Sequence, residues 1–196
     1  MKVLLTGDSI IARCEGFSEP HLNADLKRNW LTLKIINTAV SGINSGAFFA
    51  RLSELVLTQD QCDAIVILVG TNDLATHKQV PIEQFKRNMQ LIASAIVCLY
   101  WPKKVVLISP PAVDEDKQHV RSNKLVASYA KKVEEVSEEY GFHYIDLCSE
   151  MIKRGNLTEL CHGQKNDGLH FGATGYELLS ELVLEKLKQI EKDSQL

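Results

Sequence analysis

The sequence predicts an α/β protein in which one five-stranded parallel sheet lies between two layers of helices. Two observations lead to this prediction. Short runs of apolar and β-branched residues alternate with longer segments in which apolar residues recur every three or four positions. The strongest of the short runs are nearly unbroken, as expected of parallel strands that helices cover on both faces. Right-handed strand-helix-strand connections then give a three-layer α/β/α sandwich.

Five segments are predicted to form the strands of this sheet. Residues 2–6, 64–69 and 104–109 are almost continuously apolar, which is typical of strands buried on both faces. Residues 34–37 and 142–145 are shorter and less regular. We expect these two segments to complete the sheet.

Three long helices are predicted by single apolar stripes. The stripes run through residues 82–99, 126–140 and 176–190, with apolar side chains three or four positions apart. The last helix is expected to open at Thr174, because Thr174 and Glu177 have the spacing of a capping box. Each of these helices should bury one face against the sheet.

The composition is that of one ordinary globular domain, which we expect to span residues 1–196. The chain is 45% hydrophobic and 24% charged, and 196 residues can bury a continuous core without metal or disulfide links. A net charge of -3 provides no general basic surface for nucleic acid, so no nucleic-acid partner is expected. The oligomeric state cannot be predicted from these features.

Targeting signals and cysteine spacing favour a cytoplasmic protein. No apolar segment near the start suits a signal peptide, and no window approaches the roughly 20 apolar residues of a membrane helix, so no membrane partner is expected. The five cysteines include no Cys-x-x-Cys pair, which argues against a disulfide framework and against a zinc ribbon. We therefore expect a cytoplasmic location and no metal.

Four short polar segments are the main indication of function. They comprise residues 7–9, 41–42, 70–73 and 167–170. The first three follow predicted strands, and the fourth precedes the last predicted helix. Ligands of open parallel sheets bind beyond the carboxyl ends of the strands. We therefore expect the four segments to meet along one edge of the sheet.

Ser9 is the candidate nucleophile of this edge. It lies where the first strand turns into a probable short helix at residues 10–12, so its hydroxyl could face the edge and its backbone N–H could point into the site. The alternative is structural, because serine commonly caps a helix N-terminus. Position alone favours the cap, and the other polar segments favour the nucleophile.

His170 is the candidate general base, and Asp167 is the candidate residue that orients it. A catalytic histidine needs one ring nitrogen held by an acceptor, and a carboxylate three residues earlier in a tight turn can supply that contact. An ordinary surface turn would have the same spacing. Two other histidines, His119 and His162, also follow an acid by three residues.

The two competing histidines differ in their surroundings. His119 follows a charged run that is typical of a solvated loop. This loop comes after a predicted strand, however, and could reach the same edge of the sheet as Ser9. His162 lies beside Cys161 and could suggest a metal ligand, although no further cluster completes such a site. His119 is therefore the main alternative to His170. The remaining histidines are interpreted as surface or structural residues.

Three donors could form an oxyanion hole. These are the backbone N–H groups of Ser9 and Gly42 and the side-chain amide of Asn72. Taken separately, Gly42 could be a turn glycine, and Asn72 with Asp73 could be a loop closed by its own hydrogen bonds. Asp8 and Asp73 are predicted to support their loops.

The chain resembles the SGNH hydrolases, also called the GDSL esterase family. The four lettered residues of that family match Ser9, Gly42, Asn72 and His170 in the same order, and Asp167 stands in the family's Asp-x-x-His position. This position, directly before the last helix, favours His170 over His119. Ile10 replaces the leucine of the first family motif.

Further motifs are similar to the isoamyl-acetate-hydrolysing branch of the family. These are residues 70–73, the 109–111 turn after the fourth strand, and residues 167–170. The resemblance implies a flavodoxin-like fold and a serine mechanism without a cofactor. It also implies that the partner is a small-molecule ester with a short acyl group.

Two other functions remain as alternatives to a short-acyl esterase. A carbohydrate O-acetylesterase would use the same machinery on a different alcohol. A flavodoxin-like domain could instead bind a phosphate-bearing ligand at the first strand-to-helix loop, but residues 6–10 contain only one glycine. That alternative also leaves Asp167 and His170 unexplained.

Overall fold

A computed structural model describes residues 1–194 of the chain. It contains five strands that form one sheet. The strands are β1 (Lys2–Gly7), β2 (Lys34–Asn37), β3 (Ala64–Leu68), β4 (Val105–Ile108) and β5 (His143–Ile145). Each lies within one residue of its predicted bounds at either end. The prediction of a single domain over residues 1–196 stays a prediction, and residues 195–196 lie outside the described residues.

All neighbouring strands are parallel, and their order across the sheet is β2-β1-β3-β4-β5. The chain leaves β1 to one side to form β2, and then crosses to the other side of β1 to form β3. The strand order therefore reverses between β1 and β3, and the carboxyl ends of these two strands border the crevice where ligands bind in such sheets. The predicted flavodoxin-like arrangement is confirmed.

Eight α-helices connect and cover the strands. They are α1 (Ser9–Ala12), α2 (His21–Asn29), α3 (Ser45–Ala50), α4 (Ile82–Ile96), α5 (Asn123–Tyr140), α6 (Leu147–Arg154), α7 (Leu157–Leu160) and α8 (Ala173–Asp193). Helices α3, α4 and α5 pack side by side on one face of the sheet, and α2, α7 and α8 pack on the other. None of the helices within residues 1–194 combines the length and apolar content that a membrane span needs.

The hydrophobic core lies between the sheet and these two layers. The side chains of β3 and β4 are buried throughout, and so are those of β1 after Lys2. The predicted apolar stripes face this core, as Phe85 and Ile92 of α4, Val133 of α5 and Leu179 and Leu187 of α8 show no solvent exposure. Burial on both faces explains why the central strands read as unbroken apolar runs.

Two helix ends differ from the prediction. Helix α4 ends at Ile96 and not at Leu99, whose side chain is exposed. Helix α8 begins at Ala173 with Gly172 as its N-cap, so the predicted capping box at Thr174 is wrong. The Thr174 hydroxyl donates instead to Glu159 across 3.1 Å, and this tertiary contact replaces the local one.

Gly7 allows β1 to end in close contact with β3. Its φ is +140°, and a Cβ atom at this position would lie 1.9 Å from the carbonyl oxygen of Leu68. Only glycine tolerates both the backbone conformation and the close approach. Because of this contact, the chain turns directly from the buried strand into the polar residues Asp8 and Ser9.

Candidate active site

Ser9 is the first residue of α1 and lies at the carboxyl end of β1. Asp8 is the N-cap of this helix, and its Oδ1 accepts a hydrogen bond from the Ile10 N–H at 3.0 Å. The capping role considered for Ser9 therefore belongs to Asp8. The Ser9 hydroxyl is free to contact His170, and its Oγ lies 3.0 Å from His170 Nε2.

Asp167 holds the other nitrogen of the His170 ring. Asp167 Oδ2 lies 2.8 Å from His170 Nδ1. Asp167 Oδ1 accepts the backbone N–H groups of Leu169 and His170 at 3.1 and 3.0 Å. The carboxylate thus fixes the turn and the ring together. With Nδ1 bound to a carboxylate, Nε2 is the ring nitrogen that can take the Ser9 proton.

Burial changes the pKa of both residues of this pair. Burial lowers the pKa of His170, and the adjacent Asp167 carboxylate opposes the shift without cancelling it. Partial burial acts to raise the pKa of Asp167, but hydrogen bonds from the backbone and ring of His170 hold it below its usual value. The imidazole is therefore neutral and the carboxylate ionised at neutral pH.

The turn that carries His170 is tied to the rest of the edge by its backbone. The Asp114 N–H donates to the Gly168 carbonyl at 2.8 Å, and the Gly163 N–H donates to the His170 carbonyl at 3.0 Å. The Gln118 side chain donates to the Asp167 carbonyl at 3.2 Å. These contacts bring a turn 161 residues away in sequence to Ser9.

Three residues that line the cleft around the Ser9 hydroxyl carry N–H groups without a protein acceptor in residues 1–194. Within the described residues, no protein acceptor takes the backbone N–H of Ser9 or of Gly42. The Asn72 side-chain nitrogen donates one of its two N–H groups to the Ile43 carbonyl at 2.9 Å, which leaves the second one available. These groups can donate to an oxyanion, and their role as an oxyanion hole stays a prediction of the sequence.

A buried hydrogen-bond network connects the Gly42 loop to the Asn72 loop. Both carboxylate oxygens of Asp73 accept the Ser45 N–H, at 3.0 and 2.9 Å, and Asp73 also accepts the Ser45 hydroxyl. The Asn88 amide donates to the Ser45 hydroxyl at 2.8 Å. At the other end of the loop, the Val40 N–H donates to the Gly7 carbonyl at 2.9 Å. The network fixes the Gly42 and Asn72 loops relative to β1.

Asp8 links the loop after β1 to the loop after β3. Its second carboxylate oxygen accepts the Thr71 N–H at 3.3 Å, and its side chain has no solvent exposure. Burial raises the pKa of Asp8 to about 6, although the hydrogen bonds from Thr71 and Ile10 act in the opposite direction. Asp8 and Asp73 therefore support their loops, in agreement with the interpretation of the sequence.

The competing histidines do not reach Ser9. His119 and His162 are exposed, and neither borders the cleft around Ser9. Among residues 1–194, no group of three or more His, Cys, Asp or Glu side chains is placed to hold a metal ion. His21 is buried and stacks on Tyr176 with ring centroids 4.4 Å apart, which agrees with a structural role.

A cleft of about 340 Å³ surrounds the site. Its lining residues are Ser9, Arg13, Ser41, Gly42, Asn72, Gln118, Arg121, Lys165, Asp167, Leu169 and His170. Leu169 is the only apolar side chain among them. No sequence pattern marks the other polar residues of the lining. Arg13 and Lys165 lie within a few residues of a polar segment, and Gln118 and Arg121 lie in the loop after the fourth strand.

This fold and the hydrogen bonds that join Ser9, His170 and Asp167 are those of a serine hydrolase. A family model described as the GDSL-like Lipase/Acylhydrolase family matches residues 5–178. The chain belongs to this family and is a carboxylic ester hydrolase.

Relatives with similar sequences carry related descriptions. The chain is 28% identical to GDSL esterase/lipase At5g45920 of Arabidopsis thaliana, in an alignment that covers 96% of this chain and 86% of the relative. It is 29% identical to isoamyl acetate-hydrolyzing esterase 1 homolog of Bos taurus, over 91% and 78% of the two chains. It is 27% identical to isoamyl acetate-hydrolyzing esterase of Schizosaccharomyces pombe, over 93% and 73%.

Solved structures have the same fold. A lipase/acylhydrolase from Enterococcus faecalis superposes with a TM-score of 0.83 at 28% identity, covering 96% of this chain and 95% of the other. The acetylxylan esterase Axe2 from Geobacillus stearothermophilus gives 0.75 at 19% identity, over 94% and 93%. At that level of identity, the second structure shows the shared fold alone.

The buried Asp8 carboxylate predicts a specific effect of pH on stability. An unfolded aspartate titrates near 3.9, so a folded pKa of about 6 means that the charged form is disfavoured in the fold. Above about pH 6 the cost of ionising the buried Asp8 carboxyl opposes folding. Below about pH 4 this cost disappears, because Asp8 is protonated in both the folded and the unfolded protein. Asp8→Asn carries no charge at this position, so it should gain stability relative to the wild type by about 2 kcal/mol as the pH rises from about 4.5 to about 7.5. The variant loses the acceptor of the Thr71 N–H at both pH values, so this loss cancels from the comparison.

Urea unfolding at pH 7.5 and pH 4.5 measures this effect. The free energy of unfolding of Asp8→Asn relative to the wild type should be lower at the lower pH. Asp116→Asn, which removes an exposed carboxylate of the same edge, is the matched control and should give no comparable gain. A stability difference between Asp8→Asn and the wild type that is the same at both pH values would show that ionising Asp8 does not oppose folding.

Proposed function

We propose that this protein hydrolyses short-acyl, acetyl-type esters of small molecules through an acyl-enzyme on Ser9. The observation that carries the proposal is the continuous series from Ser9 Oγ to His170 Nε2 at 3.0 Å and from His170 Nδ1 to Asp167 at 2.8 Å. A hydroxyl alone is a weak nucleophile, and this series supplies the base that activates it.

In the first half of the proposed reaction, Ser9 Oγ forms a bond to the ester carbonyl carbon, and its proton passes to His170 Nε2. The charge that develops on the carbonyl oxygen meets the N–H groups of Ser9, Gly42 and Asn72, each worth about 2.7 to 4 kcal/mol of transition-state stabilisation. The bond to the alcohol oxygen then breaks. The alcohol leaves with the proton from His170, and the acyl group stays on Ser9.

In the second half, a water molecule attacks the acyl carbon and gives a proton to His170. The Ser9 ester bond breaks, Ser9 Oγ recovers the proton, and the carboxylic acid is released. Throughout both halves, Asp167 keeps the ring oriented and stabilises the imidazolium form. The proposed mechanism uses these side chains without a cofactor.

The lining of the cleft supports a short acyl group. A long acyl chain gains affinity by transferring its methylene groups from water to an apolar surface, at about 0.8 kcal/mol for each. Leu169 is the only apolar side chain among the cleft's lining residues. A chain of many carbons would therefore stay largely in water, whereas an acetyl group needs little apolar surface.

A carbohydrate O-acetylesterase is the second candidate, because a polar cleft also suits a hydroxyl-rich alcohol. None of the lining residues is Phe, Tyr or Trp, however, and the His170 ring is held between Ser9 and Asp167, so the cleft offers little ring surface on which a sugar could stack. Comparing the rates on acetylated xylo-oligosaccharides and on simple acetate esters separates the two candidates.

The phosphate-binding alternative is disfavoured by the first strand-to-helix loop. Asp8 already occupies this loop, and its carboxylate takes the Ile10 and Thr71 N–H groups that a phosphate would need. A phosphate at that position would face a buried carboxylate. We further propose a cytoplasmic location, which suits five cysteines that are all free.

Ser9→Ala tests the proposed nucleophile. The variant should lose at least about 10³-fold in kcat/KM on p-nitrophenyl acetate, because the acyl-enzyme cannot form. Wild-type turnover should also fall from the acetate to the butyrate and octanoate esters. Ser128→Ala, an exposed serine on α5, is the control and should keep its activity. Undiminished turnover by Ser9→Ala would remove Ser9 from the mechanism.

The acidic side of the pH profile tests the proposed base. Because burial lowers the pKa of His170 from its usual value near 6.5, the neutral ring should persist to lower pH than in an exposed histidine. We expect kcat/KM on p-nitrophenyl acetate to fall with a midpoint below about 6.5. The same fall should persist in Asp8→Asn, which removes a carboxyl group beside Ser9 that has a pKa of about 6. A profile that is flat down to pH 4.5 would exclude a histidine base.

A further inference from the structure

Three basic side chains line the same cleft as Ser9 and His170. Arg13 follows α1, Arg121 ends the loop after β4, and Lys165 lies in the loop that leads to His170. The chain as a whole is negative, with 25 acidic against 22 basic residues. Within the cleft the balance is reversed, because Asp167 is the only acidic lining residue and its carboxylate is bound to the His170 turn.

The positive charges of the cleft are only partly neutralised by neighbouring carboxylates. Arg13 pairs with Glu15, whose other oxygen accepts the Gln164 N–H at 2.6 Å, so the charge of Arg13 is balanced. In contrast, no carboxylate within residues 1–194 lies within 4.0 Å of the charged nitrogens of Arg121 or Lys165. Among these residues, neither cation therefore has a counter-ion in direct contact beside the proposed nucleophile, although the Asp8 and Asp167 carboxylates act on Arg121 from further away.

Arg121 is held in place by uncharged partners. Its Nε donates to the Thr71 carbonyl at 2.8 Å, and its Nη1 donates to Gln118 at 3.3 Å. These contacts fix the side chain, and they leave Nη2 without a protein partner in the described part of the chain. A guanidinium held in this way can offer its remaining donors to an oxyanion with little loss of side-chain entropy.

Lys165 lines the cleft and lies close enough to the His170 ring for its charge to act on that residue. Its charge and that of Arg13 both act on the His170 ring and contribute to the lowered pKa of that residue. In the proposed mechanism, His170 gives its proton to the oxygen of the departing alcohol, so the alcohol half of the ester must lie beside this ring. An ester with a negative group on its alcohol half would place that group near Lys165.

We propose that the cleft selects esters whose alcohol half carries a negatively charged group, and that Lys165 and Arg121 are the residues that recognise it. The proposal rests on the ester hydrolysis proposed above and adds the charge of the substrate. Such an anion would provide the direct counter-ion that the two cations lack. It would also be attracted into a positive cleft on an otherwise negative protein.

Two acetate esters that differ only in charge test this selectivity. One is 4-acetoxybenzoate, whose alcohol half carries a carboxylate group at pH 7.5. The other is the uncharged methyl ester of that carboxylate. The measured quantity is the ratio of kcat/KM for the anionic ester to kcat/KM for the neutral one. Comparing this ratio between variants cancels the intrinsic difference in reactivity of the two esters.

Lys165→Gln should lower this ratio about twofold to fivefold at low ionic strength, as expected for one charge pair that involves an exposed lysine. Lys188→Gln, which removes an exposed lysine of α8, is the matched control for total charge and should leave the ratio at the wild-type value. Raising the salt concentration from about 0.01 M to about 1 M should bring the wild-type ratio close to that of Lys165→Gln, because salt screens the interaction.

The outcomes separate this proposal from the function on which it rests. If both esters are hydrolysed by Ser9 and the ratio is the same in the wild type, Lys165→Gln and Lys188→Gln, the charge selectivity is wrong and the esterase function stands. If neither ester is hydrolysed, both proposals fail. A Lys165-dependent preference only for mono-(4-nitrophenyl) glutarate over its methyl ester would place the anion on the acyl half and overturn the proposal.

Discussion

The hydrogen bond between Ser9 and His170 is the interaction on which the site depends, because it joins two segments that lie 161 residues apart in sequence. Ser9 is positioned by β1, which ends in contact with β3 because Gly7 has no side chain. The His170 turn belongs to no strand or helix and is held by backbone hydrogen bonds from Asp114 and Gly163. The reversal of strand order between β1 and β3 makes the crevice, and the tethered turn brings the imidazole to it.

Buried carboxylates beside the site hold the loops after β1, β2 and β3 in fixed positions relative to one another. These carboxylates also lower the stability of the fold. Asp73 holds the Gly42 loop through Ser45, and Asp8 holds the Asn72 loop through the Thr71 N–H. Burial raises the pKa of both carboxyl groups, so keeping them ionised at neutral pH opposes folding. Functional sites commonly keep such destabilising groups, because an apolar replacement would give stability without the required geometry. In the proposed mechanism, the donors to the oxyanion are therefore fixed before a substrate arrives.

The sequence was sufficient to predict the sheet and to predict that the polar segments lie together at one edge. It was insufficient where contacts between distant residues determine the local structure. Central strands buried on both faces leave unbroken apolar runs, so residues 64–69 and 104–109 could be recognised. The N-cap of α8 could not be predicted in this way. Thr174 and Glu177 have the spacing of a capping box, but the Thr174 hydroxyl donates to Glu159. Lys165 and Arg121 have no distinguishing pattern in the sequence, because only the folded loops bring these side chains to the same cleft as His170.

The formation of a covalent adduct on Ser9 tests the central claim most directly. The protein can be incubated with a fluorophosphonate, which reacts with activated serines, and the modified peptide located by mass spectrometry. A Ser9 activated by His170 predicts one adduct per chain, on the peptide that contains Ser9, and a much slower reaction in His170→Ala. An adduct on any other residue, or an inert Ser9 in a protein that still hydrolyses p-nitrophenyl acetate, would contradict the account.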